Sequence, residues 1–274
     1  KVWLMARYVV AVSGGVDSVV LLDMLVNGTL PNTTYQIPPT KLIVAHFDHG
    51  IRPDSADDAQ FVGMLAKKYG LTYETTREEL GVGASEELAR TRRYAFLRQV
   101  AKKYDAKIVT AHHGDDVIET VAINLTRGTG WRGLAVLDSP DIERPLLNLT
   151  KAEIITYAKQ QKLEWHEDST NTDTTYLRND LRNKLTMLDD ESLELIGLYR
   201  NRQVSLKRHI DNETNRLIGV SPYSRHLFIA CNESAALELL RAVFVYETGA
   251  SPAIKQRRQA LHAIKVLPAG KSLT

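Results

Sequence analysis

One stretch constrains this chain more than any other: VVAVSGGVDSVVLL, Val9 to Leu22. Two apolar, β-branched runs flank a small polar hexapeptide, Ser13-Gly14-Gly15-Val16-Asp17-Ser18. The first run is short enough to be a buried strand, and Val19–Leu25 continues as a helix that ends near Gly28. A strand that turns directly into a helix aims its backbone N–H groups at one point, where the helix dipole is positive. The expected ligand is therefore phosphate or pyrophosphate. Gly14 and Gly15 let the backbone approach it. Ser13 and Ser18 are expected to offer hydroxyl donors, and Asp17 to cap the helix or help hold a metal ion. The loop is neither the G-x-x-x-x-G-K-[ST] P-loop nor the G-x-G-x-x-G dinucleotide fingerprint.

The same alternation continues downstream. Lys41–Phe47 reads as a second buried strand, and Ser55–Tyr69 as a helix that stops at Gly70. Leu71–Thr76 is a third strand. Ser85–Tyr104 is a long helix with Ser85 as N-cap and Leu88, Tyr94, Leu97 and Ala101 near one face. Lys107–Ala111 is a fourth strand, followed by a helix over Asp116–Arg127. Strands separated by helices of this length mean βαβ units, so the expected fold is α/β: a doubly wound, mostly parallel sheet. Gly128–Asn183 looks looser, with Pro140, Pro145 and many Asn, Asp and Thr. Ser192–Leu217 and Glu233–Glu247 then read as helices of a smaller helical domain. The expected division is 1–187 for the α/β domain, 188–265 for the helical one, and 266–274 as a stub from which a further domain could begin.

Composition narrows the setting. Hydrophobic residues make up 43% of the 274 and charged residues 25%, the balance of an ordinary soluble globular protein. No run of about 18 apolar residues exists, so no membrane span is expected. The first residues lack a signal-peptide layout. A single cysteine, Cys231, excludes an internal disulfide framework and a Cys-rich metal or iron–sulfur site. A reducing cytoplasm is the expected location. Residues 1–174 hold 20 Lys and Arg against 23 Asp and Glu, and residues 175–274 hold 15 against 10. A basic second part beside a near-neutral first part hints at a polyanionic partner such as nucleic acid.

A strand followed by SGGVDS resembles the signature of the N-type ATP pyrophosphatase, or PP-loop, superfamily, whose members cleave ATP between the α- and β-phosphates. Further motifs resemble one branch of it, the tRNA(Ile)-lysidine synthase family. They are HFDHGIRPDSADDAQFV at His46–Val62, ARTRRY at Ala89–Tyr94 and AHHGDDVIET at Ala111–Thr120. RGTG at Arg127–Gly130, RPLL at Arg144–Leu147, and EDSTN with YLRNDLR between Glu167 and Arg182 follow in the same order. The lone cysteine agrees with that branch, because a thiolase that passes sulfur as a persulfide needs paired cysteines or a cluster. After the last motif the chain lacks the proline-containing segment usual in that family. It stops near where longer members begin another domain.

The resemblance implies ATP and Mg²⁺ as cofactors. It also implies two other partners, a tRNA(Ile) bearing a CAU anticodon and free L-lysine, with no membrane and a homodimer left open. The implied reaction adenylates the C2 carbonyl oxygen of cytidine 34, releases pyrophosphate, and lets the lysine ε-amine displace AMP. Residues Ser13, Gly14, Gly15, Val16, Asp17 and Ser18, with His46 and Asp48, are the implied ATP contacts. Helical spacing puts Arg90 and Arg93 on one face and Arg92 on another, which favours the motif arginines Arg90 and Arg93 for the site, and the resemblance implies Arg93 as the catalytic one. Free lysine has a pKa near ~10.4, and keeping its amine neutral at pH 7 costs about 4.6 kcal/mol. Asp116 and Glu119 are three apart on a helix, so both carboxylates are expected to face the strand ends. There they would bind the lysine and one of them would accept its proton, with Mg²⁺ coordination by Asp17 and Asp116 as the alternative role. His112 is implied as catalytic by its motif, and His113 as structural. Arg90, Trp131, Arg144, Arg178 and Arg182 are candidates for the tRNA-binding rim, with Arg200, Arg202, Lys207 and Arg208 as a backbone track. Two rivals stay open: a small-molecule adenylating ligase of the same superfamily, and a non-catalytic ATP-binding protein.

Overall fold

The computed structural model describes residues 6–30, 38–51, 55–81, 83–167, 189–219 and 224–268. Five strands form one sheet: β1 (Arg7–Ala11), β2 (Leu42–Asp48), β3 (Thr72–Arg77), β4 (Ala106–Val109) and β5 (Ile142–Glu143). Their order is β3-β2-β1-β4-β5, and every pairing is parallel. The central register aligns Val9 with Ile43 on one side and with Ile108 on the other.

Because side chains alternate along a strand, β1 feeds two cores. Tyr8, Val10 and Val12 join Leu42, Val44 and Val109 on one face. There they meet α1 (Val16–Asn27), α2 (Ser55–Lys68) and α5 (Lys151–Gln160). Val9, Ile43, Ala45 and Ile108 point the other way, against Tyr94, Leu97 and Val100 of α3 (Glu86–Tyr104). Both faces are thus covered, and the continuous hydrophobicity of these strands follows from that. The first helix ends at Gly28, whose φ of 67° lies in the left-handed region. Ser85 caps α3, accepting a hydrogen bond from the Leu88 N–H at 3.2 Å.

Several local expectations need correction. Leu88 was expected on the buried face of α3 but is 41% exposed, because it sits in the first turn, ahead of the stretch that crosses the sheet. The stretch read as loose contains β5 and α5. A capping box opens α5, with the Glu153 carboxylate accepting from the Thr150 N–H at 2.7 Å. That T-x-x-E signature was present in the sequence.

By internal contacts the chain forms two compact units, Lys1–Tyr199 and Arg200–Thr274. The division falls inside α6 (Asp190–Ile218); the border expected at 188 adjoins residues outside those described. The N-terminal part of α6 contributes Ile196 to a small cluster with Val117, Val121 and Val136. The second unit packs α7 (Arg225–Ala230), α8 (Glu233–Thr248) and α9 (Ile254–Val266) around Phe228, Leu237, Leu240 and Leu261. Neither α7 nor α9 was anticipated. Arg241 pairs with Asp211 and with Glu238, joining α6 to α8. No helix among the described residues is long and apolar enough to cross a membrane.

One buried charge ties the helices of the first face together. Asp23 of α1 is 3% exposed and accepts hydrogen bonds from Tyr69 at 2.6 Å and Tyr157 at 2.8 Å. The Tyr157 proton is committed to Asp23, so Thr29 donates to the Tyr157 oxygen, 2.8 Å away. Burial pushes the Tyr157 hydroxyl up to about 12, with Thr29 working against the shift and Asp23 adding to it. Tyr69 is raised by burial and by Asp23 as well. Two outcomes follow, both readable by urea unfolding. Tyr157→Phe lowers stability by roughly 1–2 kcal/mol, and Asp23→Ala by about 2–3 kcal/mol. Tyrosine pKa values raised in the folded state favour folding fully below the unfolded value of about 10. Wild-type stability therefore falls as pH rises from about 10 towards 12, and Tyr157→Phe weakens that dependence.

Candidate nucleotide site at the switch point of the sheet

The chain leaves β1 towards β2 on one side and reaches β4 on the other, so the two connections part above the C-terminal ends of the central strands. Such a switch point opens a crevice in parallel sheets. A cleft of about 390 Å³ lies there. Its walls include Ser13, Gly15, Asp17 and Ser18 after β1, His46 and Asp48 at the end of β2, and His112 and Asp116 after β4. Arg90 and Arg93 line it from α3, and Asp58 from α2.

The phosphate loop is built from its own serines. Ser18, 5% exposed, donates its hydroxyl to the Gly15 carbonyl at 2.9 Å and accepts from the Ser13 N–H at 3.1 Å. Its proton is therefore taken, and Ser13 is the donor in the 3.2 Å contact between the two hydroxyls. Ser18 was expected to donate to a ligand; instead it staples the loop. Gly14 has a φ of +99°, open to glycine and costly for other residues. Gly15 is the N-cap of α1 and supplies no side-chain cap, so the helix-start N–H groups keep their anion-binding character.

Asp17 does not cap α1. Its carboxylate accepts from Lys151 Nζ at 2.5 Å, reaching the start of α5. His113, the N-cap of α4 (Gly114–Thr126), lies beneath this pair. Its Nε2 is 3.9 Å from Asp17 and 3.6 Å from Asp116, and its Nδ1 is 3.3 Å from Asp115. Burial pulls the His113 pKa down, but Asp115, Asp116 and Asp17 outweigh it and hold the imidazole above its ordinary value. Asp116 also accepts from the His113 backbone N–H at 3.0 Å, capping its own helix.

The two carboxylates of α4 part company. Asp116 lines the cleft, whereas Glu119 is 1% exposed and is not among the cleft's lining residues. Three residues along a helix is 60° short of a full turn and about 4.5 Å further along its axis. That is enough to put one carboxylate in the crevice and the other in the packed layer. Helical spacing did separate the arginines: Arg90 and Arg93 line the cleft, while Arg92 lies 3.5 Å from Glu78. The Arg90 and Arg93 guanidiniums lie 5.2 and 5.6 Å from the centroid of the Tyr94 ring.

His46 Nδ1 lies 2.9 Å from the Val12 carbonyl, which can only accept, so Nδ1 carries a proton, and in the neutral ring Nε2 is an acceptor. Nε2 is buried without a hydrogen-bond partner among the described residues. Asp48 is tied into the turn after β2 by the Gly50 N–H and by Arg77, both at 2.9 Å. Burial raises its carboxyl, but the Gly50 N–H, Ser55, Arg77 and His46 together outweigh that and hold it below the usual carboxylate range. The His112 ring contacts Thr110 Oγ1 at 2.8 Å.

The proposed rim is scattered. Trp131 starts a 3₁₀ turn and carries the Arg132 guanidinium 4.7 Å above its ring, away from the cleft lining. Arg144 points inward and donates to the Leu137 carbonyl at 2.9 Å, bracing a residue with a φ of 53°. Burial lowers its pKa. Arg178 and Arg182 lie outside the described residues. The motif reading passed over Lys151 and His166. Their partners, Asp17 and Asp58, are 134 and 108 residues away, beyond the reach of any local signal.

No group of three or more His, Cys, Asp or Glu is gathered to hold a metal among the described residues. Asp17 and Asp116, both within 4 Å of His113 Nε2, still fit Mg²⁺, which takes one or two carboxylates and completes its shell with water and phosphate.

Fold and site together define an α/β nucleotide-binding domain with a glycine-rich phosphate loop at the sheet's switch point. The PP-loop domain profile matches residues 4–188, and the chain belongs to that family. Curated relatives called tRNA(Ile)-lysidine synthase include one from Wolbachia pipientis wMel, 38% identical over 194 residues, 67% of this chain and 44% of that protein. Another, from Thermotoga sp. (strain RQ2), is 36% identical over 219 residues, covering 76% of this chain and 51% of the relative. The chain thus spans about half the length of the relatives it matches. Among solved structures, the U34-tRNA thiolase NcsA of Methanococcus maripaludis aligns over 74% of this chain and 73% of its own. Its TM-score is 0.60 at 20% identity, a likeness of fold alone.

If the loop is stapled as described, the two serines should behave differently. Ser18→Ala leaves the Ser13 N–H and the Gly15 carbonyl without their partner and costs about 1–3 kcal/mol in denaturant unfolding. Ser13→Ala, at an exposed position, costs less than about 0.5 kcal/mol.

Proposed function

We propose that this chain is the catalytic part of a tRNA(Ile)-lysidine synthase. It binds ATP in the switch-point cleft, adenylates C34 of the CAU anticodon, and joins L-lysine to C2 with release of AMP and pyrophosphate. One observation carries the reading: a single cleft lined by the stapled phosphate loop, two arginines of α3, and His112 and Asp116 after β4. The names of the relatives support the choice of substrate.

In this reading the N–H groups at the start of α1 receive the pyrophosphate end of ATP, joined by the Ser13 hydroxyl when it turns from Ser18. Arg93, and Arg90 beside it, neutralise charge that develops on the α-phosphate as the bond to pyrophosphate breaks. His46 Nε2 offers the nucleotide an acceptor. Asp17 and Asp116 would hold Mg²⁺, whose charge lowers repulsion among the phosphates. Lys151, now paired with Asp17, is a second cation within reach of that end. Asp116 is the α4 carboxylate that faces the cleft, and its role alternative to holding Mg²⁺ is to bind the lysine ammonium and take its proton as the amine attacks. Glu119 supports α4 from the packed layer. The helical unit, with Arg200, Arg202, Lys207 and Arg208 on α6, tracks the tRNA backbone electrostatically.

The test is pyrophosphate release from ATP with unmodified tRNA(Ile) bearing C34, with and without lysine. The reading expects release that requires this tRNA, and incorporation of lysine into it. Release indifferent to tRNA would favour a small-molecule ligase, and no release a binding protein. In the same assay Arg93→Ala slows release by about 100-fold, whereas Arg92→Ala stays within about twofold because its side chain lies elsewhere.

A further inference from the structure

Gly14 is enclosed from two sides. At its φ of +99° a Cβ would stand 3.6 Å from Phe61 Cδ1 and 3.8 Å from Asp58 Oδ1, both on α2. His166, from the segment after α5, closes the other side. Its backbone N–H donates to the Gly14 carbonyl at 3.0 Å. Its ring stacks on Phe61, with centroids 4.4 Å apart and 26° between the planes. Its Nδ1 lies 2.7 Å from Asp58 Oδ1, so that nitrogen carries the proton the carboxylate accepts. Backbone, ring face and ring nitrogen are thus engaged at once, by Gly14 of the phosphate loop and by Phe61 and Asp58 of the helix beside it.

The consequence lies in the peptide between Gly14 and Gly15. A trans peptide holds its C=O and N–H on opposite sides. With the Gly14 carbonyl drawn to His166, the Gly15 N–H faces the other way, towards Ser13 Oγ at 3.4 Å, and both Ser13 and Gly15 line the cleft. Glycine alone would not choose this orientation, since its backbone can flip at little cost. We propose that His166 is a positioning residue of the phosphate loop: its N–H sets the Gly14–Gly15 peptide, and its ring, held by Phe61 and Asp58, keeps that N–H in register. The value of this for catalysis rests on the cleft's being an ATP site. A preset N–H meets phosphate without reorganisation, whereas a loop free to flip must be ordered by the ligand.

The experiment compares wild type with His166→Ala, His166→Phe, which keeps the stacking, and His166→Asn, which keeps a donor near Asp58. Amide hydrogen exchange of the Ser13–Ser18 stretch is followed in ligand-free protein, ATP affinity by calorimetry, and steady-state kinetics where turnover is seen. His166→Ala is expected to speed exchange in that stretch by about tenfold and to weaken ATP by about the same factor. The KM for ATP rises while kcat at saturating ATP stays within about twofold, and the Phe and Asn variants each recover part of the loss. Unchanged loop exchange in His166→Ala overturns the inference, as does a rise spread evenly over α1 and α2, which would mark plain packing. If wild type binds no ATP while loop exchange still depends on His166, the ATP reading fails and the clasp stands.

Discussion

The central strand β1 bonds to a parallel neighbour on each side and is buried on both faces, and everything at the site hangs from its C-terminal end. A strand so enclosed cannot shift register without turning one core outwards. Its last residues therefore arrive at a fixed point between β2 and β4. The phosphate loop begins there, and Ser18 closes it by bonding to both Ser13 and Gly15. A glycine-rich loop without that staple would lose more entropy on meeting its ligand than one already ordered.

Charge in the cleft is organised in layers. The helix-start N–H groups, Arg90 and Arg93 present positive character to an anion, while Asp17, Asp58 and Asp116 stand among them. Left alone, so many carboxylates would repel a polyphosphate. The fold answers each with its own cation or donor: Lys151 for Asp17, His166 for Asp58, and the His113 backbone N–H for Asp116. Each of these three carboxylates thus has a fixed partner in the structure.

The sequence was most readable where neighbours along the chain decide the outcome. The βαβ alternation, the Ser85 cap, the stop at Gly28 and the different directions of Arg92 and Arg93 all follow from backbone periods and local hydrogen bonds. It was least readable where one turn of helix or a distant segment decides. Asp116 and Glu119 looked equivalent by spacing, yet the depth of α4 in the protein separates crevice from core. Arg144 looked like a solvent-facing cation but braces the Leu137 carbonyl from inside. Ser18 looked like a ligand donor but is bound within the loop.

From its sequence alone, this protein was determined to be an α/β domain with an anion-binding loop after its first strand, because hydrophobic period and glycine placement act over a few residues. Tertiary structure alone decided which carboxylate faces the cleft, that Lys151 rests on Asp17 from 134 residues away, and that His166 holds the Gly14 carbonyl. The reason is geometric. A parallel sheet collects the ends of strands far apart in the chain at one edge, and the contacts made there depend on strand order and helix depth, neither of which any short stretch of sequence encodes.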